Sequence, residues 1–480
     1  MADTVRPTIR LRPQEQRAIL LFGDILASVG AMFGAIYFWY LYSLNRLIES
    51  GISQARAEKL IQIDVPYWFY LLPLVWLVLM VEMYDPHKSA SWRKTWRGVT
   101  VAAFLGLLGY SLLFTIRQDP NSLPRIGVGA FLLLAWLLTL FWRAVYIRLY
   151  TASGLQRRVL VVGAGKAGQT LAEVYRTLAP PPFRLVGFID DDPKKVGRSV
   201  MGFPIIASSE QILQVIEDYK VSDVVVAITG GMRGATFQMV LDAQERGAEV
   251  MRMPTLYEEI SGRVPIHHLE SDWMLRSFID QARVSGFYEL AKRVVDILGG
   301  LAGLLILAVT FPFTALAILI DSGFPIFYSQ PRLGKGGVPY VIYKYRSMRT
   351  DAEADGKAKV AAENDPRVTR VGNFLRRSRI DELPQFWNVL RGDMSLVGPR
   401  AERAELVNSY QKQIPFYRAR LLVKPGLTGW AQINYGYAAT VYDTVVKIEY
   451  DLYYIKHRSL AMDVNIILRT IGTVIRRTGR

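Results

Sequence analysis

A chain of 480 residues is more than one ordinary hydrophobic core organises, so two or three domains are expected. Half of it is apolar (51%) and it has no cysteine, which excludes disulfides, thiolate catalysis and cysteine-ligated zinc. The net charge of +16 admits nucleic acid, an anionic membrane face or phosphorylated substrates as partners. The four histidines (His87, His267, His268 and His457) form no His-x-x-x-His pair, which argues against a histidine metal site, and the adjacent two read as a loop pair.

Four apolar runs come first: Ala18–Leu44, Tyr67–Met83, Val99–Ile116 and Gly127–Tyr146. Each is near the ~20 residues that cross ~30 Å of hydrocarbon. The first is too long for a cleaved signal peptide and lacks a small-residue cleavage site. Tyrosine and tryptophan cluster at Tyr37–Tyr42 and Tyr67–Tyr70, as interfacial belts do. Basic residues mark the N-terminal tail (Arg6, Arg10, Arg12, Arg17), the second loop (Lys88, Arg93, Lys94, Arg97) and the stretch after the fourth run (Arg148, Arg157, Arg158). The positive-inside rule then places both ends of this block, residues 1–150, in the cytoplasm.

Residues 151–280 alternate strand-like and helical runs. VLVVGAGKAGQTLAEVYR reads as a strand, a Gly-x-Gly-x-x-Gly turn (Gly163, Gly165, Gly168) and a helix. LVGFIDDD is a second strand ending in Asp190, Asp191 and Asp192, and SDVVVAIT a further buried one. The pattern argues for a Rossmann-like parallel sheet. Two uses of the glycines stay open. They allow a dinucleotide pyrophosphate to approach a helix start, with Asp190 on a ribose hydroxyl, or they only permit close strand–helix packing. Met251–Asp280 reads as the end of this module plus a linker.

Ile297–Ile320 is a fifth apolar run, long enough to span. Its flanks are basic on both sides: Lys292 and Arg293 before, Arg332, Lys335, Lys344 and Arg346 after. A crossing helix cannot satisfy the positive-inside rule at both ends. Pro312, mid-run, removes a backbone donor and clashes with the preceding turn. The expectation is a re-entrant helix–break–helix hairpin near residues 290–320, with Thr310 or Thr314 as partners for the freed carbonyls. A plain fifth span kinked at the proline is the alternative, and Gly299, Gly300 and Gly303 suit helix packing in either case.

After it, PIFYSQPRLGKGGVPYVIYKYRSM reads as two strands about a glycine-rich turn, and Asp351–Asp365 as a polar surface element. RRSRIDELPQFWNVLRGDMSLVGPR (Arg376–Arg400) sets two adjacent acids, Asp381 and Glu382, among arginines. Proline is tolerated only in a first helical turn, so Pro384 puts the acids at or just before a helix start. Adjacent carboxylates can hold Mg2+, which takes one or two carboxylates plus phosphate and water, or supply a nucleophile through an aspartyl phosphate. Arginines nearby would grip phosphoryl oxygens. An acidic helix start paired with surface arginines is the plainer alternative, contributing about 0–1 kcal/mol.

DELPQFWNVLRGDMSLVGPR, KYRSM and KPGLTGWAQINYG resemble the bacterial sugar transferases, specifically the large monotopic phosphoglycosyl transferases. The resemblance covers nearly the whole chain. It implies a membrane protein with four N-terminal transmembrane helices (1–150), a Rossmann-like α/β module (151–280) and a monotopic α/β catalytic domain with a re-entrant hairpin (281–480). It also implies transfer of a hexose-1-phosphate from a UDP-sugar, UDP-glucose or UDP-galactose first, to undecaprenyl phosphate. UMP is released, and a surface polysaccharide is begun. By the same resemblance Asp381 is the nucleophile and Glu382 helps it hold Mg2+. Arg376 and Arg400 grip phosphate, and Lys344 and Arg346 lie near the polyprenyl phosphate. Lys424, Thr428 and Gln432 lie near the nucleotide or sugar. The bilayer, a homodimer and a bacterial inner-membrane location with a cytoplasmic catalytic face complete the expectation; nucleic acid is not expected. Three departures bear on loop geometry: Phe311-Pro312 where the family often has Ser-Pro, Ala401 where proline commonly follows Gly-Pro-Arg, and DSGFPIF for a DSPGP-type stretch.

Two rival readings follow from other residues. The glycine fingerprint suits a membrane-anchored NAD-dependent dehydrogenase or epimerase, but the nearest Tyr-x-x-x-Lys, Tyr340 to Lys344, lies beyond the fifth apolar run in a strand-like stretch. A non-catalytic scaffold is the other.

Overall fold

The computed structural model describes residues 13–61, 64–84, 89, 91–117, 124–150, 156–179, 181–232, 234–269, 285–352, 365–436 and 440–475. Arg6, Arg10, Arg12, Lys88 and residues 353–364 of the polar stretch lie outside them. The chain divides into two compact units, one of Met1–Ile228 with Met232–Met251, the other of Thr229–Gly231 with Arg252–Arg480.

Among the described residues four helices are long and apolar enough to cross a membrane: Arg17–Glu49, Trp92–Thr115, Arg125–Leu149 and Gly286–Ser322. The first three lie in α1 (Pro13–Glu49), α2 (Trp92–Arg117) and α3 (Arg125–Tyr150). The expected second span is different. Tyr67–Leu71 is a 3-10 turn, Leu72–Leu79 a short α-helix and Val81–Tyr84 another 3-10 turn. Pro73, lacking an amide hydrogen, fits only a first turn, so the α-helix starts at Leu72 and the aromatic residues before it wind separately. Small residues (Ala31, Ala35, Ala102, Ala135) and Phe69, Trp76 and Phe131 fill the centre, while Phe22, Phe33, Phe104 and Phe141 point outward. Inside, Arg143 donates to both carboxylate oxygens of Asp24 (2.7 and 3.4 Å) and to the Met83 carbonyl (3.0 Å). A charge in hydrocarbon persists only when paired in this way.

The rest of this unit is an α/β domain with helices α4 (Lys166–Thr177), α5 (Ile212–Tyr219) and α6 (Gly234–Glu245). Its sheet runs β3 (Ser199–Val200), β4 (Phe203–Ala207), β2 (Arg184–Ile189), β1 (Arg158–Val162), β5 (Asp223–Val226), β6 (Glu249–Arg252). β1 is parallel to β2 and β5, β2 is parallel to β4, and the edge strand β3 is antiparallel. Continuous apolar runs such as Val159–Val162, all buried, are what a sheet covered on both faces requires.

The second unit begins with α7 (Met253–Ser261). Residues 253–269, read from the sequence as a module end and linker, pack here: Val264 and Ile266 share a core with Val397, Ile448 and Leu452. Next comes α8 (Gly286–Ser322), a single helix with Pro312 inside it. The expected two-helix hairpin is therefore not displayed as two helices. The expected partners do not meet the freed carbonyl: Thr310 donates to the Ile306 carbonyl (2.8 Å) and Thr314 to the Thr310 carbonyl (2.9 Å), whereas Pro312 takes the helical donor from Ala308. A Cβ on Gly303 would strike the Phe386 ring, and one on Gly299 the Leu396 side chain, so these glycines let the helix lie close on the rest of the second unit. The antiparallel hairpin β7 (Phe327–Leu333) and β8 (Pro339–Tyr345) follows, then α9 (Arg370–Arg377), α10 (Gln385–Arg391), the paired short strands β9 (Ser395–Val397) and β10 (Gly426–Thr428), and α11 (Val441–His457) and α12 (Leu460–Ile475).

Candidate active site

Thr369 caps α9, its hydroxyl accepting from the Gly372 amide, and the helix ends at Arg377. Arg379 then takes a left-handed backbone (φ +59), uncommon for a residue with a side chain, and reverses the chain into a 3-10 turn, Ile380–Glu382. Pro384 follows as the cap of α10, so the acids lie just before a helix start, as the proline dictates. Asn388, fully buried on α10, accepts from the Tyr343 amide (3.2 Å) and donates to the Val341 carbonyl (2.7 Å), which fixes β8 beside the acids.

Both acids are buried, at 7% exposure each, but their surroundings differ. Glu382 accepts from Lys344 (3.1 Å) and Arg400 (2.6 Å) through one oxygen and from Arg379 (3.4 Å) through the other. Burial opposes its ionisation, yet Arg400, Lys344 and Arg379 together hold its carboxyl well below the usual range. Asp381 receives no side-chain hydrogen bond among the described residues. Burial first, then the Glu382 charge, pushes its carboxyl up to about 6, with Lys344, Arg400 and Arg379 opposing. One acid is locked and ionised. The other is desolvated, unencumbered and ringed by cations, which is the condition of an available nucleophile.

The Gly-Pro-Arg loop that carries Arg400 is buttressed by the KPGLTGWAQIN stretch. A Cβ on Gly426 would strike the Gly398 backbone, and the Gly426 amide donates to the Pro399 carbonyl (2.8 Å). Behind Arg400 the buried Arg420 donates to its carbonyl (3.0 Å) and to the Tyr417 hydroxyl (2.8 Å), and pairs with Asp451 (2.9 Å).

Of the sequence-predicted site residues, Asp381, Glu382, Lys344 and Arg400 come together. Arg376, in the last turn of α9, makes no side-chain bond to either acid among the described residues; Arg379, which sequence reasoning did not single out, does. Arg346 is placed elsewhere. It is buried and donates to the Ser322, Gly323 and Phe324 carbonyls and the Ser322 hydroxyl, capping the end of α8. Lys424 sits by Gly392 and Arg293; burial and then the Arg293 charge push its ammonium pKa down. Thr428 pairs with the Thr470 hydroxyl (2.7 Å), and Gln432 donates to the Leu427 carbonyl (3.3 Å).

In the other unit, Gly163 takes a positive φ (+109) and a Cβ on Gly168 would strike the Gly163 carbonyl oxygen, so backbone conformation requires the one and close packing the other; a Cβ on Gly165 would meet nothing within 4 Å. Asp190 accepts from the Ala164 (2.8 Å) and Asp192 (3.0 Å) amides and pairs with Lys195 (3.0 Å). Its carboxylate is thus engaged within the module, and a ribose hydroxyl would have to displace Lys195 to reach it.

Among the described residues no group of three or more His, Asp or Glu side chains is placed to share a metal. Asp381 offers a carboxylate that accepts no side-chain hydrogen bond among the described residues, whereas both Glu382 oxygens already accept from cations, so Glu382 would share an ion such as Mg2+ only by giving up one of these bonds.

Sequence comparison places this arrangement. The sequence model described as bacterial sugar transferase matches residues 287–477, and one described as a CoA-binding domain matches residues 80–233. The chain is 44% identical to a UDP-N-acetylgalactosamine-undecaprenyl-phosphate N-acetylgalactosaminephosphotransferase of Aeromonas hydrophila, over 47% of this chain and 52% of that one. It is 31% identical to the UDP-glucose:undecaprenyl-phosphate glucose-1-phosphate transferase of Escherichia coli (strain K12), over 89% of this chain and 94% of that one. It is 29% identical to a UDP-galactose-lipid carrier transferase of Erwinia amylovora, over 72% of this chain and 75% of that one. With the acid pair, its cations and this end-to-end similarity in hand, the chain belongs to the bacterial sugar transferase family.

Proposed function

We propose that the protein moves a hexose-1-phosphate from a UDP-sugar to undecaprenyl phosphate, releasing UMP, as the first membrane step of a surface polysaccharide. The observation that carries the reading is the division of labour at Asp381 and Glu382: one buried carboxylate that accepts no side-chain hydrogen bond among the described residues, beside one fixed by three cations. In the first half-reaction an Asp381 oxygen bonds to the β-phosphorus. The bond from that phosphorus to the bridging oxygen breaks, and the electron pair leaves on UMP. In the second, a phosphate oxygen of the lipid attacks the same phosphorus and the Asp381 carboxylate is released. Lys344, Arg400 and Arg379 surround the charge that develops in both steps. Mg2+ held by Asp381 and Glu382 would supply further charge neutralisation at the diphosphate.

The same reading places α8 as a re-entrant element. Both its ends bond to one unit: near the start Lys292 donates to the Val397 carbonyl (3.0 Å) and Asp296 accepts from the Leu396 amide (2.8 Å), and at the end Asp321 accepts from the Val371 amide (3.1 Å). Between them Leu305, Val309, Phe313 and Leu316 are exposed, as a lipid-immersed face requires. The catalytic unit then rests on one leaflet, the cytoplasmic one of the inner membrane, where UDP-sugars and the lipid phosphate meet. UMP release from purified protein tests the activity, with UDP-glucose, UDP-galactose and UDP-N-acetylgalactosamine as donors, since the relatives' names differ in the sugar. Release that requires one of them supports the reading; absence of release with all three opposes it.

A further inference from the structure

Residues directly opposite on an antiparallel hairpin point to the same face. The pairs Tyr328–Lys344, Gln330–Ile342 and Arg332–Tyr340 therefore share one face of β7 and β8. The opposite face carries Phe327 and Tyr345, which stack with each other, and Phe327 stacks on Phe311 of α8. One face is thus committed to the apolar helix, and the other begins at the acid pair, where Lys344 donates to Glu382 (3.1 Å).

Along this second face three buried polar atoms have no hydrogen-bond partner among the described residues: the Gln330 Oε1, the Arg332 Nε and the Tyr340 hydroxyl. They lie two and four residue pairs beyond Lys344, about 7 and 14 Å along the strands. Arg332 is desolvated, which weakens its hold on its proton; Glu402 is its strongest charged neighbour and opposes this, and Arg403 and Arg400 follow as like charges. Tyr340 lies in the fields of Arg332, Asp393 and Arg400. Half-buried Arg332 faces two like charges against one carboxylate, which leaves room for a further anion, and an unmet acceptor and hydroxyl on the same face call for a ligand that also carries hydrogen-bond donors. A nucleoside monophosphate has both: a phosphate, and ribose and base groups.

We propose that Gln330, Arg332 and Tyr340 form the subsite for the nucleoside-monophosphate half of the donor, Arg332 gripping the phosphate that departs and Gln330 and Tyr340 the nucleoside. This rests on the donor being a nucleoside-diphosphate sugar. It gives the leaving phosphate a cation of its own, distinct from Lys344 and Arg379 at Glu382.

The test uses the full-length protein in nanodiscs and UMP itself as the probe. UMP is titrated as inhibitor and as exchange partner into UDP-sugar in the absence of lipid phosphate, for wild type, Arg332→Met and Tyr340→Phe. Arg332→Met should weaken UMP inhibition by ~30-fold, about 2 kcal/mol at 1.4 kcal/mol per decade, and raise KM for the UDP-sugar in step, with KM for undecaprenyl phosphate unchanged. Tyr340→Phe, which removes one oxygen and keeps the ring, should weaken UMP by ~5-fold. Unchanged UMP inhibition in both variants overturns the subsite, and so does a rise confined to the lipid KM, which would place Arg332 at the acceptor. Absence of UMP release by wild type would sink the donor reading instead.

Discussion

At the scale of single residues, the two acids make opposite predictions. A carboxyl raised to about 6 is neutral, and no nucleophile, below that pH. Adduct formation measured as kcat/KM for the donor should therefore fall as pH drops through about 6, against a flat profile for a carboxylate with its ordinary value near 4. Glu382 is the second largest cause of that elevation. Glu382→Gln removes a negative charge and leaves three cations facing Asp381 alone, so the midpoint should move to lower pH while the rate falls by ~10²-fold. A midpoint that moves up would contradict the charge assignment. The acid pair and its place before α10 were legible because proline's missing donor fixes where a helix starts. Arg379 was not, since only its left-handed backbone turns it onto Glu382. Nor were Gln330, Arg332 and Tyr340, whose shared face depends on cross-strand register.

Among elements, α8 and its anchor carry the membrane argument. Arg346, 5% exposed, spends its donors on the carbonyl end of α8. Arg346→Met should destabilise the protein by about 2–4 kcal/mol, seen as a lower unfolding temperature in detergent, with wild-type donor KM in the folded fraction. An altered KM without loss of stability would return Arg346 to the substrate. The apolar length of this segment was plain in the sequence; its continuity through Pro312 was not, because a proline forfeits a single hydrogen bond and leaves the flanking turns theirs. The split of Tyr67–Tyr84 into three short pieces was hidden for a related reason: hydropathy measures length in residues and is blind to where Pro73 allows the α-helix to begin. The packing of Val264 and Ile266, in the stretch 253–269, against Val397 and Ile448 was not legible, because an apolar pattern says that residues are buried, not against what. Glu449, which meets Tyr257 and Arg263 of this stretch, is pushed from the ordinary 4.5 to about 7, chiefly by burial. Its stability contribution is full below the ordinary value and is lost as pH rises to about 7. Glu449→Gln should flatten the fall in unfolding temperature between pH 5 and pH 7.5, and an unchanged slope would contradict the burial argument.

At the scale of the whole molecule, the claim is that the catalytic unit is propped on one face of a bilayer by a helix that enters and returns. The absence of native cysteine makes the topology directly accessible. Single cysteines at Phe287 and Phe324, both exposed at the two ends of α8, should label with an impermeant maleimide from the same side of oriented vesicles. Labelling from opposite sides would make α8 a crossing helix. The apolar helices and the mostly parallel α/β sheet were readable from hydropathy and periodicity, because each class of element leaves its own repeat in the chain. The fate of Asp190 was not, since Lys195 and two backbone amides meet its carboxylate only once the loop is folded.

The measurement that bears most directly on the central claim is intact-mass analysis of the protein incubated with UDP-sugar and Mg2+ and without lipid phosphate, alongside quantified UMP. Wild type should gain the mass of one hexose phosphate and release UMP in equal amount, and Asp381→Asn should fold, gain nothing and release none. A hexose-phosphate adduct on Asp381→Asn, or turnover by that variant at the wild-type rate, would contradict the account.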